Sequence, residues 1–251
     1  MRTFLYNPFY WLRYVGALLY FVLAALVNIA AFLLTLFNTR AVCRLMRCEA
    51  VGLLALLGVK VVVTENRFRP LPRGHRTNFL FIANHQSMLD ILVVFSLVPE
   101  PLSFIAKKEL FWVPFLNVSL WTAGCISIDR HSLKRSYRDI QKAVDVLKRK
   151  RSLIIFPEGT RQLEDAIGPF KPGYLKLARE AGVDLVPIVM SGSGKVMNKK
   201  SLLIDPRKKI YVSFGEPLPL RALSPDHGSD EVRLNFVRIH ESMKGNREQT
   251  G

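Results

Sequence analysis

The chain has 251 residues, 49% of them apolar, and a formal net charge of +16. Such a length accommodates one sizeable domain with an appendage. Strong basicity joined to high apolarity fits a protein on an anionic membrane surface, whereas a nucleic-acid binder shares the charge but has no use for a long lipid-like segment. The three cysteines, Cys43, Cys48 and Cys125, are odd in number and contain no C-x-x-C pair. They give neither a disulfide framework nor a cysteine zinc site, and a reducing cytosolic compartment is the default.

Tyr14 to Phe37 is 24 residues without a charge, and Asn28 is its one strongly polar side chain. As a helix it is long enough to cross a hydrocarbon core of about 30 Å. It is too long for a signal peptide, and no small-residue cleavage pattern follows it. A second apolar helix follows. Arg40, Arg44 and Arg47 form a basic stripe along it, expected at the lipid headgroups, and Leu53 to Leu57 make an apolar end. Two arrangements fit: a spanning first helix with its amino terminus outside, or a hairpin dipping into one leaflet. Arg2 and Arg13 favour the hairpin, and the basic excess after Phe37 puts the following domain on the cytoplasmic side of the membrane. Residues 1–58 therefore read as a membrane-anchoring module and 59–251 as a second domain.

That domain alternates strands and helices. Strands are predicted at Val59–Thr64, Phe79–Ile82, Leu102–Ala106, Cys125–Ile128, Leu153–Phe156, Leu185–Met190 and Lys209–Phe214. Helices are predicted at Met88–Leu97, Ser132–Arg151, Gly173–Ala181 and Ser229–Lys244, with a basic loop over Arg67–Arg76 and an apolar, aromatic stretch over Glu109–Trp121. The pattern predicts an α/β fold with a mostly parallel central sheet flanked by helices. Pro187 cannot donate to a ladder, so its strand is expected to be irregular there or to lie at an edge.

Strand ends collect the reactive side chains. His85 and Asp90 follow one, Lys107 a second, Asp129 and Arg130 a third, and Glu158, Gly159 and Arg161 a fourth. Ligands of open α/β sheets bind outside the carboxyl ends of the strands, so parallel neighbours would bring a base, a carboxylate and several cations into one cleft. Residues five apart lie about 140° apart around a helix, so His85 and Asp90 meet only if His85 precedes the helix. The cations suit a phosphate-bearing substrate. Rival motifs fail: there is no G-x-S-x-G elbow, Ser193-Gly194-Lys195 lacks the other P-loop positions, and no histidines have metal-ligand spacing. His75, His131, His227 and His240 are scattered.

Four of these segments resemble the blocks of the 1-acylglycerol-3-phosphate acyltransferase (PlsC-type) family. Asn84-His85-Gln86-Ser87-Met88-Leu89-Asp90 looks like its H-x-x-x-x-D block. Gly124 to Arg130 is similar to the second block, with Ser127 where an aromatic is usual. Phe156-Pro157-Glu158-Gly159-Thr160-Arg161 matches the third, and Val186-Pro187-Ile188 resembles the fourth. All four stand in family order, across about residues 59–215.

The resemblance implies transfer of a fatty acyl group from a thioester, acyl-coenzyme A or acyl carrier protein, to the sn-2 hydroxyl of lysophosphatidic acid. His85 would be general base and Asp90 its orienting acid. Arg130, Glu158, Gly159, Thr160 and Arg161 would hold the acceptor headgroup, with Glu158 orienting Arg161 or hydrogen-bonding the glycerol. Lys107 is a further phosphate candidate on charge and position, or else a solvated lysine. Pro187 and Ile188 would bind the acyl donor or serve as core strand. The helix Ser132–Arg151 would meet lipid headgroups or an acidic carrier protein, or face solvent. No metal or organic cofactor is called for, and the inner membrane, cytoplasmic side, is the expected location. Two alternatives stand: an acyltransferase for another lysolipid, such as a lyso-ornithine lipid, and a non-catalytic lipid-binding membrane protein.

Overall fold

A computed structural model describes residues 8–68, 78–98, 101–128, 133–149, 151–163, 165–201 and 203–248. The predicted loop over Arg67–Arg76 therefore falls largely outside the described residues, as do Asp129 and Arg130. Helices α1 (Pro8–Leu34) and α2 (Thr39–Leu56) come first. The strands are β1 (Lys60–Asn66), β2 (Leu80–Ala83), β3 (Leu102–Lys107), β4 (Ile126–Ile128), β5 (Ser152–Ile155), β6 (Leu185–Ser191) and β7 (Lys209–Phe214). Interleaved with them are α3 (Leu89–Leu97), α4 (Leu116–Thr122), α5 (Leu133–Lys148), α6 (Gly173–Ala181) and the single turn α7 (Ser193–Val196), and α8 (Gly228–Glu248) closes the chain. The apolar stretch over Glu109–Trp121 resolves into a 3₁₀ segment, Lys108–Trp112, followed by α4.

Among the described residues the sheet has seven strands in the order β1-β7-β6-β2-β5-β3-β4. Every neighbouring pair is parallel except β6–β7. The fold is therefore α/β with a mostly parallel sheet. Helices cover both faces, which is why the central strands read as unbroken apolar runs rather than alternating ones. In β2, Leu80 and Ile82 enter one core with Ala143, Val144 and Leu147 of α5 and Phe236 of α8. Phe81 and Ala83 enter the other, with Val93 and Val94 of α3 and Ala50 and Leu54 of α2.

Pro187 does not lie on an edge strand, because β6 sits between β7 and β2. The ladder with β7 runs from Ile188 to Ser191 and stops short of it. Pro187 O accepts a hydrogen bond from Gly215 N–H on that side. A residue's N and O leave a strand on the same side, so the missing donor points to where the ladder has already ended.

Helix α1 buries one stripe, Ala17, Ala25, Asn28 and Phe32, and exposes Leu18, Leu19, Leu23, Leu26 and Leu33. Over Trp11–Leu34 it is long and apolar enough to cross a membrane. An uninterrupted apolar surface of this kind requires a lipid or protein cover. Its polar residue turns inward: Asn28 Nδ2 donates to Glu49 Oε2 of α2 at 2.8 Å. Both ends of α1 also rest on the sheet domain. Tyr14 Oη accepts from Ile204 N–H at 2.8 Å, and Phe32 packs edge-on against Trp121 of α4 at 5.1 Å.

In the basic stripe of α2, Arg40 and Arg44 are exposed and Arg47 is half-buried. Arg47 Nε donates to Ser96 O at 3.1 Å and Arg40 to Arg149 O at 3.4 Å. The helix packs against the sheet domain through Val42, Cys43, Ala50 and Leu54, which carries Arg47 onto the end of α3. Arg151 fastens the same helix to the sheet, donating to Thr39 Oγ1, Ser103 Oγ and Ala123 O.

Candidate active site

Because β2, β5 and β6 are parallel neighbours, their carboxyl ends open on one edge of the sheet. β2 ends in Ala83, and the chain turns through Asn84 to Ser87 before α3 begins at Leu89. Asn84 prolongs the pairing with its side chain: Nδ2 donates to Met190 O at 2.8 Å and Oδ1 accepts from Met190 N–H at 2.7 Å. The next residue is thereby released from the ladder at a fixed point. His85 precedes the helix, as its spacing from Asp90 requires, and its Nδ1 lies 2.7 Å from Asp90 Oδ2.

Asp90 is fully buried in the first turn of α3, where an acid complements the helix dipole. The same Oδ2 accepts the backbone N–H of Gln86 at 2.7 Å and of Ser87 at 2.8 Å. The carboxylate thus folds the turn and holds the imidazole together. With Nδ1–H donating to Asp90, Nε2 is the ring nitrogen that can take a proton from a hydroxyl. The imidazole stacks on Phe156 from the end of β5, with centroids 4.2 Å apart and planes at 24°.

The loop after β5 grips the backbone of His85. Glu158 Oε2 accepts His85 N–H at 3.2 Å, and Gln162 N–H donates to His85 O at 2.8 Å. Glu158 Oε1 accepts Gly168 N–H at 3.2 Å. Glu158 therefore binds the backbone amides of His85 and Gly168. Burial raises its pKa to about 7, outweighing the two backbone N–H donors and a hydrogen bond from Gln162, and the nearby Asp90 charge adds to the rise.

Gly159 has φ +71, in the left-handed region that favours glycine. A Cβ there would also lie 3.2 Å from the end of the Lys171 side chain. Thr160 is exposed and its Oγ1 lies 3.3 Å from Lys199 Nζ, which also donates to Arg161 O at 3.0 Å. Arg161 is half-buried on the same loop. Lys171 and Lys199 are thus cations beside this loop that sequence reading passed over.

The other predicted residues lie elsewhere or deeper. Lys107, at the end of β3, is half exposed and paired with Glu109 at 3.2 Å. Pro187 and Ile188 are buried in β6 opposite Ile82 and Ala83. Arg130 lies outside the described residues. The residues missed are Phe156, Gln86, Gln162, Asp165, Ser191 and His240. Adjacency to the motifs pointed at the first three; nothing in the sequence linked Asp165 to His240, 75 residues away.

A parallel sheet whose central strand ends present a carboxylate-held histidine defines an α/β protein equipped for general-base chemistry. Comparison with known proteins narrows the class. A family model described as Acyltransferase matches residues 59–191. The 1-acyl-sn-glycerol-3-phosphate acyltransferase of Salmonella typhimurium is 32% identical over 179 residues, 71% of this chain and 69% of that protein. The protein of the same name from Escherichia coli is 31% identical over the same length and shares. The crystal structure of the 1-acyl-sn-glycerophosphate acyltransferase PlsC from Thermotoga maritima shares the fold, with a TM-score of 0.68 at 23% identity, covering 92% of this chain and 98% of that one. The chain belongs to this acyltransferase family, and it is an acyltransferase.

Proposed function

We propose that the protein transfers a fatty acyl group from an acyl-thioester to the sn-2 hydroxyl of lysophosphatidic acid, giving phosphatidic acid. The observation that carries this reading is the 2.7 Å contact between His85 Nδ1 and Asp90 Oδ2 at the strand ends. The name borne by the relatives supports the acceptor and product.

His85 Nε2 takes the proton from the acceptor hydroxyl as its oxygen attacks the thioester carbonyl carbon. The C–S bond then breaks, and the imidazolium returns the proton to the departing thiolate. Asp90 stabilises the imidazolium between the two transfers, and the substrate hydroxyl stands where a serine nucleophile would otherwise be, so no acyl-enzyme forms. Arg161, Thr160 and the backbone at Gly159 hold the headgroup phosphate, with Lys171 and Lys199 as neighbouring positive charges. In this reading the developing oxyanion takes hydrogen bonds from backbone amides of the loop around Gly159. Arg130, Lys107, Pro187 and Ile188 keep their sequence-based assignments within this proposal, to headgroup and acyl donor respectively. The chemistry as written needs no metal or organic cofactor, and it serves acyl-coenzyme A and acyl carrier protein alike.

The acceptor is a membrane lipid, and the contacts at both ends of α1 support a mount in which this helix lies within one leaflet, the inner membrane's cytoplasmic one. The test is phosphatidic acid formation by purified protein from lysophosphatidic acid and an acyl-thioester. His85→Ala is expected to lower turnover by about 10²- to 10⁴-fold, the usual range for a lost general base. Unchanged turnover in that variant overturns the mechanism.

A further inference from the structure

Behind the histidine turn, a third carboxylate gathers contacts from four parts of the chain that the acyl transfer does not use. Asp165 lies on the loop after β5, seven residues beyond Glu158. Its Oδ1 accepts Gln86 Nε2 at 3.0 Å, from the residue next to His85. Ser191 Oγ, at the end of β6, lies 2.6 and 2.7 Å from its two oxygens, and Gly192 N–H donates to Oδ1 at 3.3 Å. His240 Nε2 of α8 is 3.1 Å from Oδ1 and only 4% exposed, and Lys195 Nζ of α7 stands 3.8 Å away. Lys244 of α8 donates to the Asp165 backbone carbonyl at 3.4 Å. Burial raises the carboxyl pKa, but the hydrogen bonds from His240, Ser191 and Gln86 outweigh it and hold the group well below the usual carboxylate range.

We infer that Asp165, braced by His240, is a positioning residue that locks the loop carrying Glu158, Gly159 and Arg161 against the turn carrying His85. The loop touches that turn at three successive points: Glu158 on His85 N–H, Gln162 on His85 O, and Asp165 on the Gln86 side chain. The first two run from loop backbone or side chain to histidine backbone and set where the imidazole stands. The third ties them to β6 and α8, the rigid parts behind. Gln86 is itself fixed from both ends of its amide, since Oε1 accepts from Ser193 Oγ at 3.4 Å. Without the Asp165 side chain the loop loses its ties to Gln86, Ser191 and His240 and holds to α8 through Arg233 on Ile167 O and Gly168 O, so its bonds to His85 open more often. Its headgroup side and the imidazole then no longer hold one relative position, and displacements of about 1 Å at such a site can cost roughly 10²-fold. His240 belongs to α8, beyond the family-matched residues 59–191, so the terminal helix takes part in shaping the site.

This inference rests on the acyl-transfer reading for its kinetic test and has one test free of it. With lysophosphatidic acid and acyl-thioester, Asp165→Ala is expected to lower kcat and to raise the acceptor KM by about tenfold, the scale of one charged buried hydrogen bond, with the donor KM unmoved. His240→Gln, which keeps a donor near the Nε2 position, should retain near wild-type values, and His240→Ala should follow Asp165→Ala. A merely structural role gives a different signature: kcat falls with the folded fraction and both KM values stay put. That result, or wild-type kinetics in Asp165→Ala, overturns the inference. Amide hydrogen exchange needs no substrate. In Asp165→Asn and His240→Ala, the Gln162 and Gly168 amides should exchange faster while those of β2 and β5 keep their protection. If wild type fails to acylate lysophosphatidic acid, the functional reading falls and the exchange result alone decides on the lock, with unchanged loop amides overturning it.

Discussion

Two carboxylates converge on one histidine and do opposite jobs. Asp90 bonds the imidazole and two amides of its own turn, whereas Glu158 bonds the histidine's backbone N–H from a loop 73 residues away. The difference shows in titration. In the unfolded chain Glu158 loses its proton near the ordinary 4.5, while in the fold burial holds it until about 7. Between those values the unfolded state has released a proton that the folded state retains, so the contribution of Glu158 to stability is full below pH 4.5, declines through the interval and is lost above pH 7. The full loss is on the order of 3–4 kcal/mol at about 1.4 kcal/mol per pH unit. Glu158→Gln cannot ionise, so its urea midpoint should fall less between pH 5 and pH 8 than that of wild type. Parallel slopes in the two proteins would show that Glu158 does not titrate in this range. The role of Glu158 was not legible in the sequence, because nothing in Phe156–Arg161 says that its carboxylate meets backbone rather than Arg161.

At the level of elements, the site depends on where β2 stops. Its pairing with β6 ends in a side-chain ladder, Asn84 against both polar groups of Met190. Asn84→Ala would leave a buried N–H and C=O without these partners and should cost about 2–4 kcal/mol, read from denaturant unfolding. A loss below about 0.5 kcal/mol would mean that the strand end repairs itself. Arg151 joins α2 to the sheet in a comparable way, and its Nε is buried without a hydrogen bond among the described residues. The strands and helices of the domain were readable from periodicity, and their bounds moved by only a few residues: Gly173–Ala181 and Lys209–Phe214 stand as predicted. The interior position of Pro187 was not readable. A sequence shows that a donor is missing, but only strand order shows that an interior ladder ends before it is needed.

At the scale of the molecule, a +16 chain carries an exposed apolar helix held at both ends against its own catalytic domain. A helix crossing the bilayer would carry one end away from that domain by roughly 30 Å. The in-plane mount predicts that single cysteines replacing Trp11 and Phe37, in a chain whose exposed Cys48 is changed to serine, react with a membrane-impermeant maleimide from the same side of sealed vesicles. Labelling from opposite sides would establish a spanning helix instead. The same packing accounts for the arginine stripe of α2. Helical spacing put the three side chains on one face; the docking of α2 brought Arg47 onto Ser96 O, while Arg40, which also reaches Arg149 O, and Arg44 stay exposed.

The sequence by itself determined what depends on neighbours in the chain. The alternation of elements followed from hydrophobic period, and the spacing of five set the condition that His85 precede the helix if it is to meet Asp90, a meeting the fold supplies at 2.7 Å. The four ordered blocks identified the family from residue identity alone. Tertiary structure decided everything that joins distant segments: β2 between β5 and β6, Glu158 and Gln162 on the histidine backbone, and Asp165 between Gln86 and His240. Those contacts are set by strand order and by which helix covers which face, and such packing is a property of the whole core rather than of any stretch within it.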